Sequence, residues 1–222
     1  MITNISPVCF AISNVFSKQY LLCCDGSWIL VDAGLHAFRK SLLKQLLKII
    51  PPAETLSAIL ITHSDADHCG GASYIREATG ARILADEIEA LAMRKGQMSR
   101  KLSPGWYEKP FYFASSFLFA FAPLQVDAIL KPGPKFKELP GLVVMHTPGH
   151  TPGHVSCFWE NEKILFSGDS IRKDSHGKPS PSSGANTWNK SRSLRSFSRQ
   201  LDMQPLVIAC GHALFDFREK VG

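Results

Sequence analysis

Five short apolar runs in this chain each lead to a histidine or an aspartate, and that recurrence limits the folds open to it. Trp28 to Val31 leads to Asp32-Ala33-Gly34. Ala58 to Ile61 leads to Thr62-His63-Ser64-Asp65-Ala66-Asp67-His68-Cys69-Gly70-Gly71. Leu142 to Met145 leads to His146-Thr147-Pro148-Gly149-His150-Thr151-Pro152-Gly153-His154. Ile164 to Phe166 leads to Ser167-Gly168-Asp169, and Leu206 to Ala209 to Cys210-Gly211-His212. Runs of this length, bounded by such turns, read as buried strands. Strand ends set side by side would gather these groups, distant in sequence, into one place.

The stretch from Thr62 to Gly71 is the densest, with His63, Asp65, Asp67 and His68 inside six residues. Imidazole nitrogen and carboxylate oxygen are donors that borderline and hard divalent metals prefer. Four such groups at one strand end repel and desolvate one another unless a cation neutralises them. The plainer alternative is a polar loop that holds two histidines by chance. The other four strand-end motifs weigh against it.

Taken in order, these motifs resemble the metallo-β-lactamase superfamily: an aspartate after an early strand, H-x-H-x-D-H, a later Gly-His, a Gly-Asp and a final Gly-His. The resemblance runs from about Asn14 to His212, and one position departs, since Asp65 stands where most members have histidine. It implies an α/β fold, a four-layer αβ/βα sandwich of two mixed or mostly antiparallel β-sheets with helices outside. One such domain would fill residues 1–222. The resemblance also implies two divalent metal ions. His63, Asp65 and His150 would hold one, and Asp67, His68 and His212 the other, with Asp169 bridging. Asp67 is the candidate catalytic group, orienting the nucleophile or shuttling a proton. Asp32 would fix a ligand by hydrogen bonding without touching metal. The function implied is a dinuclear metal-dependent hydrolase, whose metal-bridging hydroxide attacks an ester, thioester or lactone.

Asp65 bears on the choice of metal. Carboxylate in place of imidazole hardens the first site, so zinc is expected first and manganese or iron become admissible. Asp65, Asp67 and Asp169 with a bridging hydroxide would formally balance two divalent cations. A carboxylate at this position also occurs in the flavodiiron oxygen reductases of the same superfamily. A non-haem iron enzyme handling persulfide or oxygen is therefore the first alternative. A non-catalytic metal-binding scaffold is the second, and the complete ligand set argues against it. The element from His146 to His154 resembles the hydroxyacylglutathione hydrolases, which usually add a carboxy-terminal helical region. Of the other histidines, His146 is expected outside the ligand set and His154 packed beside the pocket. His36 and His176 are expected at the surface.

Composition fits a single globular enzyme: 222 residues, 45% hydrophobic and 20% charged. A net charge of +6 could favour anionic small-molecule substrates. No aromatic-basic motif of a nucleic-acid module accompanies it, so no nucleic-acid partner is expected. The six cysteines form no C-x-x-C pair, and no basic segment followed by an apolar core opens the chain. Both features point to a reducing cytoplasm. Cys69 and Cys210 neighbour proposed ligands, but free cysteine in apolar runs is expected to pack.

Helical spacing predicts helices over Phe38 to Ile50, Ala72 to Ala78, Asp86 to Lys95 and Ser191 to Leu201. Asp86 is the expected cap of the third. Val8 to Asp32 reads as a strand meander with Asp25-Gly26 as a tight turn. Arg82 to Ala85 reads as a further strand. An aromatic insertion lies at about 100–125, densest from Trp106 to Leu124, and its apolar run is too short to span a bilayer. It reads either as core or a homodimer contact, or as an apolar wall over the metal site.

Overall fold

The central strands of the larger sheet, Ser27–Val31 and Leu56–Leu60, read as nearly unbroken apolar runs because both of their faces are covered. In the computed structural model, residues 1–100, 120–133, 136 and 139–220 are described. Strands β1 (Ile2–Ser6), β2 (Cys9–Ser13), β3 (Lys18–Cys24) and β4 (Ser27–Val31) form an antiparallel meander. Asp25 and Gly26 link β3 to β4 with φ of 48° and 75°. Two left-handed residues in succession make the hairpin turn whose twist matches its strands. Strands β5 (Leu56–Leu60), β6 (Arg82–Ala85) and β7 (Ala128–Ile129) then add in parallel, completing a seven-stranded sheet in sequence order.

Helices make the parallel crossovers. Helix α1 (Arg39–Ile49) joins β4 to β5 and stops where Ile50 turns extended before Pro51-Pro52. Helices α2 (Ala66–Cys69) and α3 (Ala72–Thr79) join β5 to β6. Helix α4 (Glu87–Met93) follows, with the Asp86 side chain accepting from the Ile88 amide as its cap.

The second half repeats the logic with fewer helices. It contains β8 (Leu142–His146), β9 (Val155–Trp159), β10 (Ile164–Gly168), a small hairpin of β11 (Ile171–Lys173) and β12 (Pro179–Pro181), and α5 (Lys190–Leu201). Strands β13 (Val207–Cys210) and β14 (Leu214–Asp216) follow. The five-stranded sheet runs β14-β13-β10-β9-β8, with β10 and β13 parallel and the other pairs antiparallel.

Three apolar clusters define the layers. Between the sheets, Leu22, Ile29, Val31 and Leu60 meet Leu142, Cys157, Ile164 and Phe166. On the outer face of the larger sheet, Leu30, Ile59, Ile61 and Ile83 pack against Leu42 and Leu46 of α1, Ile75 of α3 and Met93 of α4. On the outer face of the smaller sheet, Phe158, Leu165 and Ile208 pack against Phe197 of α5. The result is the expected αβ/βα sandwich. Tyr20 crosses the central layer, its hydroxyl donating to the Cys210 carbonyl at 2.6 Å.

Each helix and strand expected from sequence falls on an observed element, with ends moved by at most two residues. Strands β1, β7, β9, β11, β12 and β14 and the short α2 carry no distinct signal. Strand β1 is mostly exposed and lacks an apolar run. Strand β9 follows the Pro-Gly loops directly and reads as part of them. Residues 106–119 of the aromatic segment lie outside the described residues, and with them the questions of a wall or a dimer contact. At its end, Phe121 and Leu124 pack into the helix-side core. Among the described residues, no helix is long and apolar enough to cross a membrane.

Candidate metal centre

Parallel pairing places the motifs. Strands β4 and β5 run side by side, so Asp32 and Thr62-His63 leave the larger sheet at the same end. Strands β10 and β13 do the same in the smaller sheet, bringing Asp169 beside His212. The sheets are tied there, since the Val155 amide donates to the Thr62 carbonyl at 3.0 Å and the Lys18 amide to the Gly211 carbonyl at 2.7 Å. Two glycines permit the closeness. A methyl group on Gly211 would overlap the Asp169 carboxylate and the His68 ring. Gly168, at φ 48°, leaves room for Thr62 Oγ1 and His154 Nε2.

All seven expected ligands converge. His63, Asp65 and His150 present donor atoms within 4.8 Å of one another, as do Asp67, His68 and His212, and likewise His63, His68 and Asp169. Asp65 Oδ2 lies 3.4 Å from His63 Nε2 and 3.2 Å from His150 Nε2. Asp67 Oδ2 lies 3.8 Å from His68 Nε2 and 3.6 Å from His212 Nε2. Asp169 faces both groups: Oδ2 is 3.7 Å from His150 Nε2 and 3.1 Å from His212 Nε2, and Oδ1 is 3.5 Å from His68 Nε2. Donors bonded at about 2.0–2.1 Å to a tetrahedral metal stand roughly 3.3 Å apart, so these spacings fit. So do the orphaned atoms. His63 Nε2, His68 Nε2 and Asp169 Oδ1 are buried and have no hydrogen-bond partner among the described residues. Unpaired buried polar atoms are costly and call for an explanation, and a shared cation supplies one. The first triad is almost sealed, whereas the His212 side chain is 32% exposed, so the second triad faces solvent.

The outward ring nitrogens are held so that Nε2 faces inward. His68 Nδ1 lies 2.7 Å from Asp32 Oδ2. Thr62 Oγ1 donates to Asp32 at 2.9 Å and stands 3.0 Å from His63 Nδ1. Asp32 therefore orients both rings, in keeping with the role expected of it. His212 Nδ1 donates to the Phe16 carbonyl at 2.7 Å, and His150 Nδ1 meets Ser182 Oγ at 3.0 Å. His154 is turned differently. Its Nε2 accepts from the Asp169 amide at 3.2 Å, and its Nδ1 meets Thr147 Oγ1 at 2.9 Å. It holds the Asp169 backbone and has no nitrogen left for a metal. Burial first, then the neighbouring imidazoles, push its pKa well below the ordinary value. His36 and His176 are exposed, and His146 belongs to none of the groups. Burial pushes the Cys210 thiol up to about 12 and Cys69 well above its ordinary value, so both pack as neutral groups.

Charges are set by the cluster itself. Burial alone would raise the carboxyls of Asp65 and Asp169. His63, His150 and Arg100 instead hold Asp65 well below the usual range, and His212 and His68 do so for Asp169. Burial opposes a proton on His68, but Asp32, Asp67 and Asp169 outweigh it and raise its pKa well above 6.5.

Two charged residues at the site were not expected from sequence. Arg100 is buried against Asp65: Nη2 donates to Oδ2 at 2.7 Å, Nη1 donates to Oδ1, and Nε donates to the Asn186 carbonyl at 2.9 Å. Its cation lowers the negative charge that the three aspartates bring, so the balance of three carboxylates and a hydroxide against two cations does not hold here. Glu89, fully buried in α4, accepts from the amide and hydroxyl of Ser64 at 2.8 and 2.6 Å. It also accepts from Ser99 Oγ, Thr151 Oγ1 and the Gly153 amide at 2.8, 2.7 and 3.0 Å. One carboxylate thus ties the loop of His63 and Asp65 to the loop of His150. Its signal is an acid on the same helix face as buried Met93, four residues on. Arg100 has no local signal.

Fold and site together define a class. The family profile described as "Metallo-beta-lactamase superfamily" matches residues 14–212, and the chain belongs to that superfamily. The hydroxyacylglutathione hydrolase of Pseudomonas aeruginosa (strain LESB58) is 31% identical over 123 residues, which are 54% of this chain and 35% of that enzyme. The chain thus spans about a third of that relative's length. The probable metallo-hydrolase YflN of Bacillus subtilis (strain 168) is 23% identical over 232 aligned positions, covering 91% of this chain and 81% of YflN. The metallo-β-lactamase MIM-1 from Novosphingobium pentaromativorans superposes with a TM-score of 0.69 at 21% identity, covering 95% of this chain and 76% of its own. The metallo-β-lactamase family protein TTHA1429 from Thermus thermophilus gives 0.66 at 25% identity, covering 97% and 77%.

Proposed function

We propose that this chain is a metal-dependent hydrolase with two divalent cations, zinc foremost, acting on an ester, thioester or lactone. His63, Asp65 and His150 hold one cation, Asp67, His68 and His212 the other, and Asp169 lies between them. The observation that carries this reading is the set of buried, unpartnered atoms, His63 Nε2, His68 Nε2 and Asp169 Oδ1, aimed at one place. Cations bound there supply Lewis acidity and an acidified water near neutral pH. The chain's own groups do the rest. Asp32, Thr62 and the Phe16 carbonyl hold the Nδ1 edges of His68, His63 and His212, so that each Nε2 is aimed inward, where a bound cation would take the place of a proton. Asp67, beside solvent-facing His212, orients the attacking water and takes up its proton at a carboxylate oxygen. The sealed first triad faces the protein interior, so substrate enters over Asp67 and His212. Acyl substrates are favoured by the likeness to an enzyme named for hydrolysis of hydroxyacylglutathione.

The carboxylate-rich donor set keeps one second reading, an iron enzyme handling persulfide or oxygen. An anaerobic assay separates the two. Protein loaded singly with zinc or manganese is expected to open an ester, thioester or lactone without oxygen, and Asp169→Ala to abolish it. Turnover that appears only with iron and consumes oxygen in step with substrate would reverse the assignment.

A further inference from the structure

The geometry points to Arg100 and Asp65 acting as one net-neutral donor unit, in which the guanidinium both fixes the carboxylate and offsets its charge at the first metal position. The inference rests on reading the two triads as metal ligands. Both end nitrogens of Arg100 are engaged, each with a different oxygen of Asp65, and Nε is anchored on the Asn186 carbonyl. A two-pronged contact fixes the plane of a carboxylate as a single contact cannot. Oδ2, which also accepts from Nη2, is the oxygen that turns toward His63 and His150, at 3.4 and 3.2 Å, while Oδ1 is held by the guanidinium alone. Asp65 is thereby presented as a one-oxygen donor.

The guanidinium is itself held in place. The Ser99 amide donates to Ser64 Oγ at 2.8 Å, and both Ser99 and Ser64 donate to buried Glu89. The residues on either side of the pair are therefore pinned to one helix. The side chains of Arg100 and Asp65 are only 4% and 12% exposed, so little solvent screens the pair. Removing one member of a buried pair leaves an uncompensated charge, which is far worse than removing both. At this position the stranded charge would be a cation beside bound cations. The first triad therefore offers metal two imidazoles and a compensated carboxylate, and the hardening that Asp65 alone implies is largely offset.

Mutant coupling tests this directly. Zinc stoichiometry and affinity are measured by chelator competition for the wild type, Asp65→His, Arg100→Gln and the double variant. Melting temperatures of the metal-free proteins are recorded alongside. Asp65→His supplies a donor of the kind already present twice in the triad, yet strands Arg100. It is expected to weaken zinc at the first position by about ten- to a hundredfold and to lower the metal-free melting temperature. The double variant is expected to regain at least about tenfold in zinc affinity over Asp65→His, because it removes the stranded charge. If Arg100 only supported the fold, its loss would add to that of Asp65→His, and a double variant no better than the single one overturns the inference while leaving the metal centre standing. A wild type that takes up no zinc overturns both. Should Asp65→His fail to fold, Asp65→Asn with and without Arg100→Gln gives the same comparison by melting temperature, and absence of recovery in the pair again overturns the inference.

Discussion

Asp32 sits at φ 62°, a left-handed conformation that aspartate and asparagine tolerate better than most residues. Asp32→Asn is therefore a change of hydrogen bonding at fixed backbone. Asp32 Oδ1 accepts from the Thr62 amide at 2.8 Å, and Oδ2 lies 2.7 Å from His68 Nδ1. An asparagine that still accepts from Thr62 turns its NH2 toward His68. The ring must then accept at Nδ1 and carry its proton on Nε2, the atom meant for metal. Zinc affinity is expected to fall by about ten- to a hundredfold, with the folded structure retained. Chelator competition with a circular dichroism control checks this. Unchanged affinity would show that Asp32 does not set the His68 tautomer.

Helix α4 matters to the site through one side chain. Five donors converge on Glu89, so an amide there must turn its NH2 toward at least one of them. Glu89→Gln is expected to destabilise the metal-free protein by about 1–3 kcal/mol and to loosen both ligand loops. The shift of the urea midpoint measures it, and an unchanged midpoint would mean that the loops do not depend on this helix. Such residues also mark the limit of what the sequence discloses. His63, Asp65, Asp67, His68, His150, Asp169 and His212 stand next to apolar runs, so local pattern finds the strand and its ligand together. Arg100 meets Asp65 35 positions away, and Gln200 reaches Ser156 across 44. No periodicity links such pairs, and only the folded layers bring them together. Strands β11 and β12 escape for a related reason, since their residues, Ile-Arg-Lys and Pro-Ser-Pro, show no apolar run or alternation and pair through the backbone and one contact from Ser180 Oγ to the Arg172 carbonyl.

At the scale of the whole molecule, two sheets share one apolar layer and deliver their ligands at the same end. The larger sheet brings His63, Asp65, Asp67 and His68, and the smaller brings His150, Asp169 and His212. Neither half holds a complete set, so metal affinity and the docking of the sheets are thermodynamically linked. The most direct test is anomalous diffraction at the zinc edge from zinc-loaded crystals. Two peaks are expected, one bonded to His63, Asp65 and His150 and one to Asp67, His68 and His212, with Asp169 touching both. Zinc bound elsewhere, with His63 Nε2, His68 Nε2 and Asp169 Oδ1 left without a metal, would contradict this arrangement.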